Sequence, residues 1–192
     1  MKTGLAALPS LHPDASFVFS DFGATIASSG IALTDANGSL IINRDFIADS
    51  LSFTLMDQHF RVNAIMRNFT GWVDGGPEIM IVTVYVAADR FITASFTGSE
   101  NDSTDNAGKT INIFPSDVSM KINLRADSII SKGFRAANLT TVLEYVPYLF
   151  TFSDIKAEGL DGLLSGEFKL GKQKGGDYIT RSKLNVTGID IN

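Results

Sequence analysis

The residues able to do chemistry are few in this sequence, and their spacing is unfavourable for it. There are two histidines, His12 beside Pro13 and His59 in a polar stretch, with no H-x-x-x-H or H-x-H arrangement to hold a metal ion. There is no cysteine, which removes disulfides, thiolate nucleophiles and cysteine-based zinc or iron–sulfur centres together, and leaves the redox compartment unassigned. Asp102, Asp105 and Asn106 sit close enough to wrap a hard cation, but the EF-hand spacing and its closing Glu are missing, so the segment reads as a solvated loop. Ser165 lacks the Gly two places earlier that a nucleophile elbow requires. The pairs Gly108-Lys109 and Gly171-Lys172 lack the spacing of a phosphate loop. The carboxylate pairs Asp154 with Glu158 and Asp45 with Asp49 have the residue types for acid–base work on a sugar, yet nothing else marks a cleft, and they read as surface charge. The N-x-S/T sequons at Asn37, Asn68, Asn101, Asn138 and Asn185 read as the Asn-Ser-Thr richness of exposed strands and turns. The expectation is a non-enzymatic protein with no catalytic residues, no metal and no cofactor.

Bulk properties exclude further classes. At 192 residues and 44% apolar content, with 14 Phe, the chain buries enough surface to offset ordering entropy, so disorder is not expected. A net charge of -5 with basic residues scattered singly argues against nucleic acid as a partner and against electrostatic docking on anionic lipid. The N-terminus starts like a signal peptide but reaches Pro9 and His12 before an apolar core develops, and no stretch is long enough for a spanning helix. Either the protein is cytosolic or the chain is cut from a longer anchored one; the second reading is adopted.

The dominant periodicity is two. Leu51-Ser52-Phe53-Thr54-Leu55 and Phe60-Arg61-Val62-Asn63-Ala64 each place their apolar residues on one face, with Met56-Asp57-Gln58-His59 as a polar break of hairpin length. Val118 to Arg125 alternates cleanly and predicts a strand with one wet face. Gly166 to Leu170 and Lys183 to Thr187 continue the pattern around a Gly-rich turn at 171–176. Thr70-Gly71-Trp72-Val73-Asp74-Gly75-Gly76-Pro77 is too rich in Gly and Pro for a helix and reads as a strand exit into a turn. Thr140 to Phe150 reads as strand because Tyr145, Val146, Tyr148 and Phe150 favour it and Pro147 would break a helix.

The polar run Glu100 to Lys109 is the candidate internal boundary, giving one domain over 1–192 with two similar halves at about 1–99 and 110–192. Ala48-Asp49-Ser50-Leu51 followed by Phe60-Arg61-Val62-Asn63 is echoed by Ala126-Asp127-Ser128-Ile129 followed by Phe134-Arg135-Ala136-Ala137-Asn138. The second spacer is shorter by an even number of residues, which preserves side-chain faces. The fold class expected is all-β: an antiparallel meander forming a curved, partly open sheet or repeated β-hairpin units, with few short helices.

The run Ile41 to Leu55, then Phe60 to Phe69 and Trp72, resembles the AsmA-like pattern of a short strand, a hairpin on alternating residues and an Asn-Phe-x-x-Trp exit. Phe134 to Leu139 with Leu160-Asp161-Gly162-Leu163-Leu164-Ser165-Gly166-Glu167-Phe168 is similar to that family's C-terminal portion. The resemblance implies a bacterial outer-membrane biogenesis or lipid-transport protein: periplasmic, anchored in the inner membrane through the full-length parent, and built as a curved sheet whose apolar concave face carries phospholipid or another acyl-chain ligand. The anchoring helix is not in this sequence. The candidate groove residues are Leu51, Phe53, Leu55, Phe60, Val62, Met120, Ile122 and Leu124, with Phe69, Trp72 and Tyr145 as core or rim. The alternative is a structural or adhesive β-sandwich or carbohydrate-binding module at the cell surface, its apolar faces closed on each other.

Overall fold

The computed structural model describes residues 14–26, 31–92, 116–131, 133–159, 162–173 and 177–188. The runs 1–13 and 93–115 lie outside them, and with them His12, the Asp102, Asp105 and Asn106 loop, Gly108-Lys109 and the proposed boundary at Glu100 to Lys109.

Within the described residues the chain is one open sheet of ten strands and a single turn of helix. The strands are β1 (Ala15–Ile26), β2 (Ile31–Ile42), β3 (Phe46–Leu55), β4 (Gln58–Arg67), β5 (Met80–Ile92), β6 (Val118–Ser131), β7 (Phe134–Val146), β8 (Leu149–Gly159), β9 (Gly162–Lys172) and β10 (Tyr178–Thr187), and α1 is Phe69–Val73. They lie in sheet order as they occur in sequence, which alternating segments joined by short turns favour because each new strand pairs with the one just laid down. All junctions are antiparallel except β5 to β6, which is parallel. Two five-strand antiparallel ladders therefore stand side by side. Since five is odd, the parallel junction makes β6 run in the same direction as β1.

Alternation alone would not keep ten long strands apolar on one side, because several change phase midway. The change occurs at an apolar–polar–polar–apolar step: Phe19-Ser20-Asp21-Phe22, Leu33-Thr34-Asp35-Ala36, Ala48-Asp49-Ser50-Leu51 and Phe152-Ser153-Asp154-Ile155. Asp21, Asp35, Ser50 and Asp154 have φ between 51° and 54°, the left-handed region that short polar residues tolerate best among non-glycines. The register slips at each of these places, so they are β-bulges that insert one residue and restore the apolar face. Side chains of adjacent strands fill the gaps: Asp21 N donates to Asn37 Oδ1 at 3.0 Å and Ser50 N to Asn63 Oδ1 at 2.8 Å. Ala88-Asp89-Arg90-Phe91 and Ala126-Asp127-Ser128-Ile129 make the same step opposite each other, so their pairing stays in register. Bulges bend a strand and increase its twist, and a band of them running across neighbouring strands curves the sheet.

Two readings of the sequence need correction. Thr70 to Asp74 is not a strand exit: Trp72 N donates to Asn68 O and Asp74 N to Thr70 O, both at 2.9 Å, closing one helical turn. Gly75, at φ 77°, and Gly76 end that turn, where they were expected to prevent it. The break after Leu55 is only Met56-Asp57, both at positive φ as a two-residue hairpin turn requires, while Gln58 and His59 open β4. The two similar segments fall in different places, one on β3–β4 and the other on β6–β7, so the echo relates two hairpins.

Gly166 on β9 faces β10 so closely that a methyl group there would collide with the Lys183 carbonyl oxygen, whereas one at Gly171 would meet nothing nearer than 3.6 Å. Gly166→Ala is expected to lower unfolding free energy by about 1–3 kcal/mol in urea melts, and Gly171→Ala by less than about 0.5 kcal/mol.

The apolar face as a candidate binding surface

Residues paired across a sheet share a face, so the registers can be followed from edge to edge. One row runs Ala15, Ile42, Phe46, Met66, Val82, Met120, Tyr145, Phe150, Leu170, Thr180. The next row on the same side runs Phe17, Leu40, Ala48, Ala64, Val84, Ile122, Leu143, Phe152, Phe168, Ser182. Both are apolar over nine of the ten strands and turn polar only on β10. Past the bulges Leu51, Phe53, Leu55, Phe60, Val62, Leu124 and Ile129 extend the face. At a strand spacing of 4.8 Å and a rise of 3.4 Å per residue, ten strands over eight residues give a footprint on the order of 1,000 Å². That exceeds the roughly 300–600 Å² of the largest apolar patch on an ordinary monomer.

The opposite face carries charge over β6 to β10 and three isoleucines over β2 to β4. The row between the two above runs Ser16, Ile41, Ile47, Ile65, Thr83, Lys121, Glu144, Thr151, Lys169, Arg181. Lys121 pairs with Glu144 at 3.0 Å and Arg61 with Asp89 at 3.6 Å, all well exposed. Such pairs add little stability but mark the side that water covers.

The eight residues expected to line a groove all lie on the apolar side. Phe53 and Phe60 stack at 5.5 Å across the β3–β4 hairpin. Val62 continues through Val86 to Leu124, and Ala64 through Val84 to Ile122. Phe60 is buried; the other seven are half-buried, packed by neighbours on the same sheet. Among the described residues no second sheet lies over this face, and the strands pack mainly against their hydrogen-bonded neighbours.

The two ends of the face differ. At one end α1 brings Phe69 to 5.4 Å from Phe46, while Trp72 donates from Nε1 to Asp117 Oδ2 at 3.0 Å, spanning the β5–β6 junction. Phe69 and Trp72 pack there with Met66, Met120, Tyr145 and Phe150, making an aromatic floor. Tyr145 is 2% exposed, and its burial raises the phenol pKa above the ordinary 10.0. At the other end is Gln58, which is fully buried. The sequence reading had placed it in a turn.

Three of the four carboxylates singled out for acid–base work hold neighbouring groups, and the fourth, Asp154, lines a groove with Lys156, Ser165, Glu167 and Lys183. Asp45 Oδ1 accepts from Asn68 N at 2.9 Å, Asp49 Oδ1 from the Ser50 hydroxyl at 3.3 Å, and Glu158 Oε2 from Asn138 Nδ2 at 2.9 Å. Asp154 occupies a bulge. His59 lies opposite Thr54, away from the apolar face. No three His, Asp or Glu side chains among the described residues are placed to hold a metal ion. A shallow groove of about 250 Å³ on the opposite face, lined by Ile41, Ile47, Ile65 and Tyr85, was not anticipated. Its signal was the departure from strict alternation at Ile41-Ile42 and Ile65-Met66.

No family model, no curated protein and no solved structure matches the chain.

Two outcomes follow from the aromatic floor. Trp72→Phe keeps the packing and loses the bond to Asp117, so it is expected to cost about 1–2 kcal/mol in a urea melt. A phenol harder to ionise in the folded chain than in the unfolded one contributes stability that is intact below pH 10 and is lost as pH rises beyond it. Tyr145→Phe is therefore expected to flatten the alkaline limb of a stability–pH curve and to leave its slope below pH 9 unchanged.

Proposed function

We propose that this chain is a non-enzymatic lipid-handling module of the bacterial envelope, which holds acyl chains on its apolar sheet face and so contributes to outer-membrane assembly or phospholipid transport. The observation that carries the reading is the pair of adjacent rows, apolar over nine strands, with no second layer above them among the described residues. A face of this kind exposed to water is costly, and hydrocarbon is the covering it matches. At roughly 0.8 kcal/mol per methylene, about ten methylenes laid on the sheet supply about 8 kcal/mol, the scale of a micromolar complex before ordering costs are deducted. The envelope setting, a periplasmic location and inner-membrane attachment through a parent chain rest on the resemblance to AsmA-like proteins. The competing sandwich module needs a second sheet closed on the first, and the described residues contain one sheet.

Leu124 and Asn123 are adjacent on β6 and point to opposite faces, so the same residue introduced at each isolates the face. Phospholipid is expected to co-purify and be seen by native mass spectrometry, and a fluorescent fatty acid is expected to bind about tenfold more weakly to Leu124→Gln, with Asn123→Gln within about twofold of the parent. Lipid-free protein that ignores the probe, or equal losses in both variants, would overturn the reading.

A further inference from the structure

Among the described residues, the apolar face has one buried polar group whose donor goes unused. Gln58 opens β4 directly after the Met56-Asp57 turn, opposite Leu55 and on the same side as Phe60 and Val62. Its side chain has no solvent exposure. Oε1 accepts a 2.7 Å hydrogen bond from Ile92 N, at the point where β5 passes beyond its last paired residue on β4, Ala88 opposite Phe60. Among the described residues Nε2 has no hydrogen-bond partner. For holding Ile92 an acceptor alone would serve, so the amide's second arm is surplus to the fold. Because the carboxamide is planar and Oε1 is turned to β5, Nε2 sits on the other arm, dry and unpaired at the end of a hydrocarbon-lined stripe.

We propose that Gln58 Nε2 is a polar subsite of the lipid face and donates to the carbonyl oxygen of an acyl ester or acyl acid. This rests on the reading of the face as a lipid site and adds a ligand class and an orientation to it. Leu55, the half-buried cross-strand partner of Gln58, is the side chain such a ligand displaces to reach the amide. From Gln58 the inward residues of β4 run through Phe60, Val62 and Ala64 to Met66, about 27 Å at 3.4 Å per residue. Half of a bilayer's hydrocarbon thickness is about 15 Å, so the stripe accommodates a full acyl chain. The carbonyl end then lies at the β3–β4 turn, and the methyl end points toward Phe69 and Trp72.

The test compares two probes that share a fluorophore and differ in one oxygen-bearing group: pyrene-decanoic acid methyl ester and decylpyrene. The parent protein is expected to bind the ester about tenfold more tightly than the hydrocarbon, the scale of one buried hydrogen bond that is otherwise unmade. In Gln58→Met the two probes should bind equally. Should Gln58→Met fail to fold, the parent's own ester-to-hydrocarbon ratio decides the matter. Equal binding of both probes by the parent, or an ester preference that survives substitution, overturns the subsite while leaving the trough intact. Binding of neither probe removes both.

Discussion

Every strand of this sheet has to send its apolar side chains to one side over a length at which a twisted, pleated ribbon does not do so unaided. A slip of one residue turns a strand's whole apolar set to the other face. The chain meets this constraint with polar dipeptide steps at mid-strand, where one of two short polar residues, Asp21, Asp35, Ser50 or Asp154, takes up the left-handed backbone that a larger side chain resists. Asn37 and Asn63 then occupy the hydrogen-bonding positions the bulges leave open. Phase correction, curvature and the integrity of the apolar face therefore have one local cause.

The proposed function follows from what that face lacks. In a sandwich the inward rows of two sheets meet at about 10 Å and exclude water from each other. Here the rows through Met66, Val82 and Met120 and through Ala64, Val84 and Ile122 are packed sideways by their neighbours, with no opposing sheet among the described residues. Sideways packing explains why small residues such as Ala88 and Ala126 are deeply buried while several larger side chains beside them, such as Val62 and Leu124, stay partly accessible. The aromatic floor under α1 and the amide of Gln58 mark two unlike ends of one surface, and an amphiphile with a polar head and a hydrocarbon tail has the same asymmetry.

Much of the fold was legible in the sequence because period-two patterning is a local signal. Val118 to Arg125 and Leu51 to Leu55 showed both their strands and the side those strands bury. What was hidden depends on distant partners. The Ala48-Asp49-Ser50-Leu51 step was visible as an echo of Ala126-Asp127-Ser128-Ile129, but its meaning as a bulge emerges only when Ser50 N is seen against Asn63. The parallel pairing of β5 with β6 joins segments on either side of a long connection, and no local pattern announces it. Gln58 was misplaced because three of the four residues in Met56-Asp57-Gln58-His59 are polar and suit a turn, whereas the turn consumes only the first two. The turn of α1 was missed because Gly75 and Gly76 were weighed as breakers of the segment when they are its terminator.

The central claim is that hydrocarbon lies on one side of this sheet and not on the other, and photo-crosslinking tests it most directly. The protein would be loaded with a phospholipid carrying a photoactivatable group in its acyl chain, irradiated, and digested for mass spectrometry. Adducts are predicted on Val62, Val86, Ile122 and Leu124, with none on their outward neighbours Arg61, Ala87, Asn123 and Arg125. Adducts spread equally over both sets, or confined to the outward groove at Ile41, Ile47 and Ile65, would contradict the account.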